Sequence, residues 1–141
     1  MPADKTSMGH HLMSFPVVSD IRGKLSVIED GTGLPFHVQR VYYLYDVPEN
    51  SRRGGHAHLQ LQQLLIAISG AFSVEATSAD SSYCYRLADP TQALYIGPGT
   101  WRELHSFTAN AVCLVLASRQ YEESDYIRSW DEFKNLLAGQ K

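Results

Sequence analysis

The stretch RGGHAHLQLQQLLIAISGAFSVEAT, residues 53–77, holds three short runs of strand-forming sequence with only a few residues between them. The runs QLLIAISG and AFSVEAT are rich in aliphatic, β-branched and aromatic residues, which favour β-strands. Ser69-Gly70 is a turn signal between these two runs. Gly54-Gly55 opens the run GGHAH and permits a bend or the close approach of a ligand. The stretch therefore predicts consecutive β-strands joined by tight turns.

The rest of the chain continues this pattern of short strands and turns. Asp89-Pro90 and Gly97-Pro98-Gly99 are further turn signals, and strands spaced by about 8–12 residues indicate a sandwich or a barrel. No helical pattern alternates with the strands, so we do not expect a parallel βαβ sheet. The other predicted strands cover residues 37–47, 82–88, 93–97, 102–108 and 111–118.

The C-terminal segment SWDEFKNLLAGQK, residues 129–141, predicts a short helix. Ser129 and Glu132 have the spacing of a capping box, and apolar residues recur behind them at helical intervals. No linker or repeat divides the chain. We therefore expect a flexible leader over residues 1–14 and one all-β domain with a helical tail over residues 15–141.

Composition narrows the class of protein. The chain has 141 residues, a net charge of −3 and 44% hydrophobic residues, which suits one folded domain and offers no basic stripe for nucleic acid. A compact phosphorylated ligand needs only a few local arginines. No run approaches the roughly 18 apolar residues of a membrane span, and none resembles a signal sequence. Cys84 and Cys113 form no CxxC motif, so we expect reduced cysteines in a cytoplasmic protein.

The two histidines of RGGHAH carry the first functional signal. Residues i and i+2 of a strand point to the same face, so His56 and His58 share a face and Ala57 points away. The pair can act as metal ligands, as acid–base catalysts, or as two polar residues on a strand.

The sequence around the histidines is similar to the two motifs of the cupin superfamily, which are small jelly-roll β-barrels. In metal-binding cupins these motifs supply three histidines and a glutamate. Here Gln63 stands at the glutamate position, and Arg102 within GPGTWRELH stands at that of the third histidine. Arginine has no lone pair to donate and repels a divalent cation. We therefore expect no metal, although a residual site of His56, His58 and His105 stays open.

Five segments in order resemble the nucleotide-sugar 3,4-ketoisomerases, cupins that act on dTDP-4-keto-6-deoxyglucose. The resemblance covers Phe15 to Leu137. It implies an all-β jelly-roll barrel, no metal or cofactor, and a homodimer with exchanged N-terminal strands. Two positions differ: Leu59-Gln60 stands where the family often has lysine, and Arg102 stands where some relatives have histidine. The five segments are VQRVYYLYDV, RGGHAH, LYIGPGTWRELHSF, VLAS and YEESDYIRSWDEF.

The implied reaction moves a ketone from C4 to C3 of the sugar through an enediolate. It needs a base for the C3 hydrogen and a proton for C4, and histidine serves both purposes near neutral pH. His58 is our first candidate for the base and His56 for the orienting partner or second proton carrier, with their order left open. Arg102 is expected to stabilise the enediolate.

The substrate itself calls for further groups. A diphosphate favours arginine, so Arg40 and Arg53 are candidates, and Arg22 is expected to reach the sugar. An aromatic ring can stack on thymine. The remaining candidates for substrate contacts are Tyr43, Tyr95, Gln63 and His105.

Three other functions stay open at this point. One is a non-catalytic cupin that binds a sugar nucleotide, and another is a metal-dependent cupin oxygenase. The third is a 3,5-epimerase on the same substrate, whose usual His–Asp pair is not evident in the sequence. The residues also leave open the C4 configuration of the product and the identity of the nucleotide.

Overall fold

The structure is a computed structural model that describes residues 9–139. The chain forms strands, one short 3-10 helix at Glu123–Asp125, and one α-helix, α1, at Trp130–Gly139. The strands are β1 His10–Ser14, β2 Val18–Asp20, β3 Gly23–Leu25, β4 Arg40–Leu44, β5 Arg53–His58, β6 Gln63–Ser69, β7 Phe72–Thr77, β8 Ser82–Leu87, β9 Gln92–Ile96, β10 Trp101–His105, β11 Val112–Ala117 and β12 Tyr126–Ile127.

The strands assemble into two five-stranded antiparallel sheets and a separate hairpin. Sheet I has the order β1-β9-β6-β11-β4, and sheet II has the order β12-β5-β10-β7-β8. Strands β2 and β3 pair only with each other. This architecture confirms the predicted all-β jelly-roll domain with a short C-terminal helix.

The centre of sheet I is apolar on both faces, as β6 illustrates. Leu65 and Ala67 point into the core that the two sheets share, where they meet side chains of β7 and β10. Leu64 and Ile66 point the opposite way and are covered by the segment that carries Phe36. The sequence of a strand that is buried on both faces is a continuous apolar run instead of an alternation of apolar and polar residues, and the run LLIAI in β6 is an example.

Helix α1 packs behind the strand that carries the two histidines. The Ser129 hydroxyl accepts a hydrogen bond from the Glu132 backbone N–H at 3.3 Å, as the predicted N-terminal cap requires. Phe133 is buried against Trp101, Ile127 and Ala57. This cluster fixes the two-residue strand β12 against β5.

The N-terminal segment is more ordered than the predicted flexible leader. The predicted leader over 1–14 is wrong for residues 10–14, which form β1 and pair antiparallel with β9. The His11 ring stacks on Tyr95 at 4.9 Å, which gives this polar segment a packing partner. Residues 1–8 lie outside the described part of the chain. Within residues 9–139, no helix has the length and apolar character to cross a membrane.

Candidate active site

A cavity of about 430 Å³ lies between β4 of sheet I and the strands β5, β10 and β12 of sheet II. Its floor is apolar, with Leu65 and Leu104 among its residues. Its walls are cationic: the described lining residues include four arginines and no aspartate or glutamate. The four are Arg40, Arg53, Arg102 and Arg128.

An irregularity between β5 and β10 sets the position of the first histidine. Arg102 pairs with His56, whereas the next residue, Glu103, pairs with Gly54, so the register shifts by one residue there. Gly54 has φ +86°, and a Cβ atom on it would lie 2.9 Å from the Arg102 carbonyl oxygen. Only glycine fits this bulge. His56 and Arg102 are therefore cross-strand neighbours at the bulge, and both side chains line the cavity.

The two histidines lie side by side, as the strand alternation predicts. Their ring centroids are 4.9 Å apart and their planes nearly perpendicular. The Tyr126 ring packs against both, at 4.9 Å from His56 and 4.3 Å from His58. His56 lines the cavity, and His58 is deeper, with 1% of its surface exposed.

His58 is held by a carboxylate that the sequence analysis did not find. Its Nδ1 lies 3.2 Å from Oδ2 of Asp125, which is 67 residues away in the chain. The same carboxylate accepts hydrogen bonds from the backbone N–H groups of Gln60 at 2.8 Å and Leu61 at 3.1 Å. An ionised carboxylate can only accept hydrogen bonds, so it favours the His58 tautomer that has its proton on Nδ1. The lone pair of the ring is then on Nε2. That Nε2 is buried and has no hydrogen-bond partner among residues 9–139.

Burial keeps both histidines neutral. Desolvation, followed by the positive charge of Arg102, lowers the pKa of His56 to about 3 and that of His58 to about 2. Burial also lowers the pKa of Arg102 to about 10, so its guanidinium stays charged at pH 7. The site therefore presents two neutral imidazoles beside a fixed cation.

The buried guanidinium is oriented by hydrogen bonds to neutral groups. Arg102 Nη1 donates to Oε1 of Gln63, and Nη2 donates to the Thr100 carbonyl oxygen at 3.2 Å. Gln63 Nε2 donates in turn to the Tyr42 hydroxyl at 3.0 Å. Gln63 and Arg102 are thus joined in one network on the cavity wall.

The structure brings together five of the ten predicted site residues on the cavity wall. These are Arg40, Arg53, His56, Gln63 and Arg102, with His58 directly beside them. Three residues on this wall escaped the sequence analysis: Tyr42, Tyr126 and Arg128. Tyr42 had a usable signal, because it stands two residues after Arg40 and therefore shares its face.

Both tyrosines that we expect to stack on thymine lie outside this cavity. Tyr43 lies on the opposite face of β4 from Tyr42 and is 59% exposed. Tyr95 is fully buried under the segment that carries Phe36, and its hydroxyl donates to Oε1 of Gln62 at 2.8 Å. Neither ring borders the cavity that its own chain encloses.

Two other predicted contacts also lie outside this cavity. His105 is on the opposite face of β10 from Arg102, where its Nε2 lies 2.7 Å from Oε2 of Glu75. This placement also overturns the residual metal site, because His105 cannot converge with the other two histidines. Arg22 is in the turn between β2 and β3 and forms an exposed ion pair with Asp20 at 2.7 Å. Among residues 9–139, no three His, Cys, Asp or Glu side chains are grouped to hold a metal ion.

The chain is similar to known proteins along nearly its whole length. Residues 8–138 match the family model described as FdtA: WxcM-like, C-terminal. A TDP-4-oxo-6-deoxy-alpha-D-glucose-3,4-oxoisomerase of Aneurinibacillus thermoaerophilus is 38% identical over 131 residues, which are 93% of this chain and 94% of the relative.

Solved structures agree with this similarity. The 3,4-ketoisomerase QdtA of Thermoanaerobacterium thermosaccharolyticum, in complex with TDP, is 38% identical with a TM-score of 0.89 over 93% of this chain and 96% of that one. A single-residue variant of QdtA, in complex with TDP-4-keto-6-deoxyglucose, is 37% identical with a TM-score of 0.90 over 93% of this chain and 95% of that one.

Proposed function

The chain belongs to the FdtA family of WxcM-like C-terminal domains, and from this membership we propose that it is a sugar-nucleotide 3,4-ketoisomerase. Its substrate is dTDP-4-keto-6-deoxyglucose and its product a dTDP-3-keto-6-deoxyhexose. The relatives named above are enzymes of this activity. The reaction is an internal redistribution of two protons, so it consumes no oxidant or reductant.

One observation carries the proposal: the cavity wall holds the neutral imidazole of His56, with His58 packed beside it, next to the buried guanidinium of Arg102, and the described lining contains no carboxylate. A neutral imidazole accepts a proton from carbon, and the adjacent cation stabilises the negative charge that forms on oxygen. A phosphorylated substrate also matches the four arginines that line the cavity. A site for a cationic ligand would require the opposite charge.

His58 is the proposed base. The Asp125 carboxylate accepts its Nδ1–H, so Nε2 offers a lone pair of fixed direction to the C3 hydrogen. The carboxylate also stabilises the imidazolium that follows, by the logic of a catalytic triad. His56, with its ring centroid 4.9 Å away on the cavity wall, is the second proton carrier toward C4. Arg102 stabilises the enediolate between the two steps.

The other arginines of the cavity bind the diphosphate. Arg40 and Arg53 lie on two strands that flank the cavity, and Arg128 also lines it, although its guanidinium is in an exposed ion pair with Glu123 at 2.8 Å. The Arg128 guanidinium lies 4.1 Å from the centroid of the Tyr126 ring, the ring that packs on both histidines. Paired guanidinium groups suit the bidentate geometry of phosphate oxygens.

The proposed enzyme is a cytoplasmic homodimer. Strand β4 is an edge of sheet I and presents exposed Tyr43 and Val41, the kind of edge that pairs with another chain. The β2–β3 hairpin presents exposed apolar residues, with Ile21 fully exposed beside Arg22 at its tip. An exchanged N-terminal segment would cover these residues and could bring Arg22 to the partner's cavity. Sedimentation as a monomer at micromolar concentration would contradict this assembly.

Proton NMR of an incubation in deuterated water tests the activity. We expect the C4 ketone of dTDP-4-keto-6-deoxyglucose to move to C3, with deuterium at C4 because the delivered proton exchanges with solvent. Bound but unchanged substrate would identify a non-catalytic binding protein. The spectrum also gives the C4 configuration of the product.

The same experiment tests the epimerase alternative, which the structure strengthens. The sequence alone does not reveal the His–Asp pair that such an epimerase uses, whereas in the structure His58 and Asp125 form one at 3.2 Å. An epimerase would introduce deuterium at the carbons next to the ketone and leave the ketone at C4. Migration of the ketone excludes that alternative.

A further inference from the structure

Arg128 differs from the other arginines of the cavity in its partner. Of the four that line the cavity, only Arg128 has a carboxylate partner within residues 9–139. Its Nε donates to Oε1 of Glu123 at 3.0 Å, and its Nη2 donates to Oε2 at 2.8 Å. Such a carboxylate either competes with an anionic ligand for the guanidinium or orients the guanidinium for that ligand.

The geometry of the ion pair favours orientation. Arginine has five N–H donors in a rigid planar fork, and Glu123 occupies the edge formed by Nε and Nη2. The other three N–H groups take no part in the ion pair. Arg128 lines the cavity, whereas Glu123 is not among the lining residues. A phosphate in the cavity can therefore bind Arg128 without displacing the carboxylate.

A second contact fixes the plane of the guanidinium. Its carbon lies 4.1 Å from the centroid of the Tyr126 ring, which packs in turn against His56 and His58. The ring holds one face of the guanidinium by a cation–π contact, and Glu123 holds one edge. Two independent contacts therefore set the orientation of Arg128 relative to the wall that carries the histidines.

Glu123 is itself held in place and charged. The Tyr121 hydroxyl donates to its Oε2 at 2.7 Å. Hydrogen bonds from Arg128, and then from Tyr121, lower the pKa of Glu123 to about 2, so the carboxylate is ionised at neutral pH. Glu123 also begins the 3-10 helix that ends at Asp125. The short backbone segment that places Asp125 beside His58 therefore places this carboxylate too.

We propose that Glu123 is a positioning residue for substrate binding, which holds the Arg128 guanidinium in its ligand-binding orientation before the diphosphate arrives. The inference rests on the proposed function, because it takes the diphosphate as the group that Arg128 receives. A long side chain that is fixed in advance loses less conformational entropy on binding. The negative charge of Glu123 opposes this gain, but its side chain is 60% exposed and water screens the repulsion.

Glu123→Gln tests the inference, because glutamine keeps the size of the side chain but loses the charge and one of the two acceptor oxygens. We expect calorimetry to show about fivefold weaker binding of dTDP, within the range for ordering one long side chain on binding. The KM should rise by a similar factor, and kcat should stay within about twofold of the wild type.

Glu122→Gln is the matched control. It removes the same charge one residue away, from a carboxylate that accepts from the Ser124 hydroxyl and not from Arg128. Its dTDP affinity should equal that of the wild type. A loss in Glu123→Gln that exceeds the loss in Glu122→Gln is therefore an effect of orientation and not of net charge.

Two further measurements separate positioning from a general loss of structure. Thymidine, which has no phosphate, should bind Glu123→Gln and the wild type equally well. In an Arg128→Ala background, which itself should weaken dTDP binding, Glu123→Gln should cause no further loss, because its effect acts only through Arg128. Additive losses in this double-mutant cycle would contradict the proposed role.

The outcomes also distinguish this inference from the proposed function. An active wild type whose Glu123→Gln variant binds dTDP as tightly as Glu122→Gln overturns the role of Glu123 alone. Tighter binding by Glu123→Gln than by Glu122→Gln identifies Glu123 as a competitor of the ligand and also overturns it. A wild type that binds dTDP-4-keto-6-deoxyglucose and leaves its ketone at C4 overturns the proposed function, while the dTDP affinities of the variants still decide the role of Glu123.

Discussion

Strand β10 carries charged residues on both faces, and the two faces treat them in opposite ways. On the outer face, Glu103 lies 3.2 Å from Arg52, and His105 lies 2.7 Å from Glu75. Arg52 and His105 each have an acidic partner there, and the Arg52 side chain is about half exposed. On the inner face, Arg102 is 2% exposed and bonds only to neutral groups.

The difference in burial and in hydrogen-bond partners distinguishes charges that only stabilise the surface from a charge that can act on a bound substrate. Exposed ion pairs are neutralised and screened, and each is worth about 0–1 kcal/mol. A buried guanidinium without a carboxylate on the cavity wall keeps its field, which acts on whatever enters. The residue types alone, Arg and His on both faces, do not distinguish the outer ion-pair group from the inner site. Burial and the choice of partner do.

The strongest test of the comparison replaces one histidine of the inner site and, separately, one histidine of the outer face of β10. His58→Asn should lower turnover by about 10²–10⁴-fold, because asparagine cannot accept and return a proton near pH 7. The affinity for dTDP should stay close to that of the wild type. His105→Asn, on the outer face, is the matched control and should retain activity.

His56→Asn refines the assignment of the two histidines. It should also be slow, but less so than His58→Asn if its role is the second transfer. A His58→Asn enzyme that turns over at the wild-type rate would reduce the pair to polar residues on a barrel wall.

The next effect in size concerns Asp125. Asp125→Asn can keep its single oxygen at the Oδ1 position, where it accepts from the Gln60 backbone N–H. Its NH2 group then takes the Oδ2 position, faces His58 and favours the wrong tautomer, while the Leu61 N–H loses its acceptor. We expect kcat to fall about 10²-fold. Nitrogen-15 NMR of the His58 ring should show the proton moved from Nδ1 to Nε2. Asp131→Asn, on the exposed face of α1, is the control; an unchanged tautomer in the Asp125 variant would refute this role.

A smaller effect is expected in the pH profile. Because the pKa values of His56 and His58 are lowered to about 3 and about 2, both stay neutral well below the ordinary histidine value of about 6.5. The acid limb of kcat/KM should therefore show no histidine titration near pH 6.5. A loss of activity centred at that pH would mean that the catalytic imidazoles are as exposed as ordinary surface histidines.

The same pKa values affect stability. Below pH 6.5 the unfolded chain binds protons on these histidines and the folded chain does not. Protonation of the unfolded chain therefore lowers the free energy of unfolding progressively as the pH falls from 6.5 toward 3. Above pH 6.5 the histidines are neutral in both states, and this loss of stability is absent. The melting temperature should decrease over that interval, and it should decrease less in the His58→Asn variant.

The smallest expected effect is that of a chelator. Arg102 and Gln63 occupy positions at which metal-binding cupins supply ligands, so EDTA should leave turnover unchanged. Activity lost to EDTA and restored by one divalent metal would contradict this prediction and reopen the oxygenase alternative.

The strand pattern could be predicted because it depends on local sequence. Alternation placed His56 and His58 on one face, and the turn signals between the runs bounded the strands. The same rule could have corrected Tyr43, since a residue three positions after Arg40 points away from it. Tyr95 had no such signal, because β9 is buried on both faces and its sequence does not say which face encloses the cavity.

Asp125 could not be predicted, for a different reason. Its contact with His58 joins residues 67 positions apart, and it depends on a two-residue strand held in place by an aromatic cluster. No spacing rule encodes such a contact. His11 is similar: a polar segment became a strand because Tyr95 and the open edge of β9 offered it partners.

The long separation in sequence between the two histidines and the pair Asp125 and Tyr126 has a consequence for biosynthesis. During translation, the segment with the two histidines leaves the ribosome long before the residues that orient and cover them. The short strand β12 also depends on α1, which is made later still. The site is therefore completed only after the segment from Asp125 through α1 has been synthesised. A polypeptide released before that point could contain both sheets and most of its arginines, yet it would lack the carboxylate that makes its histidine a base.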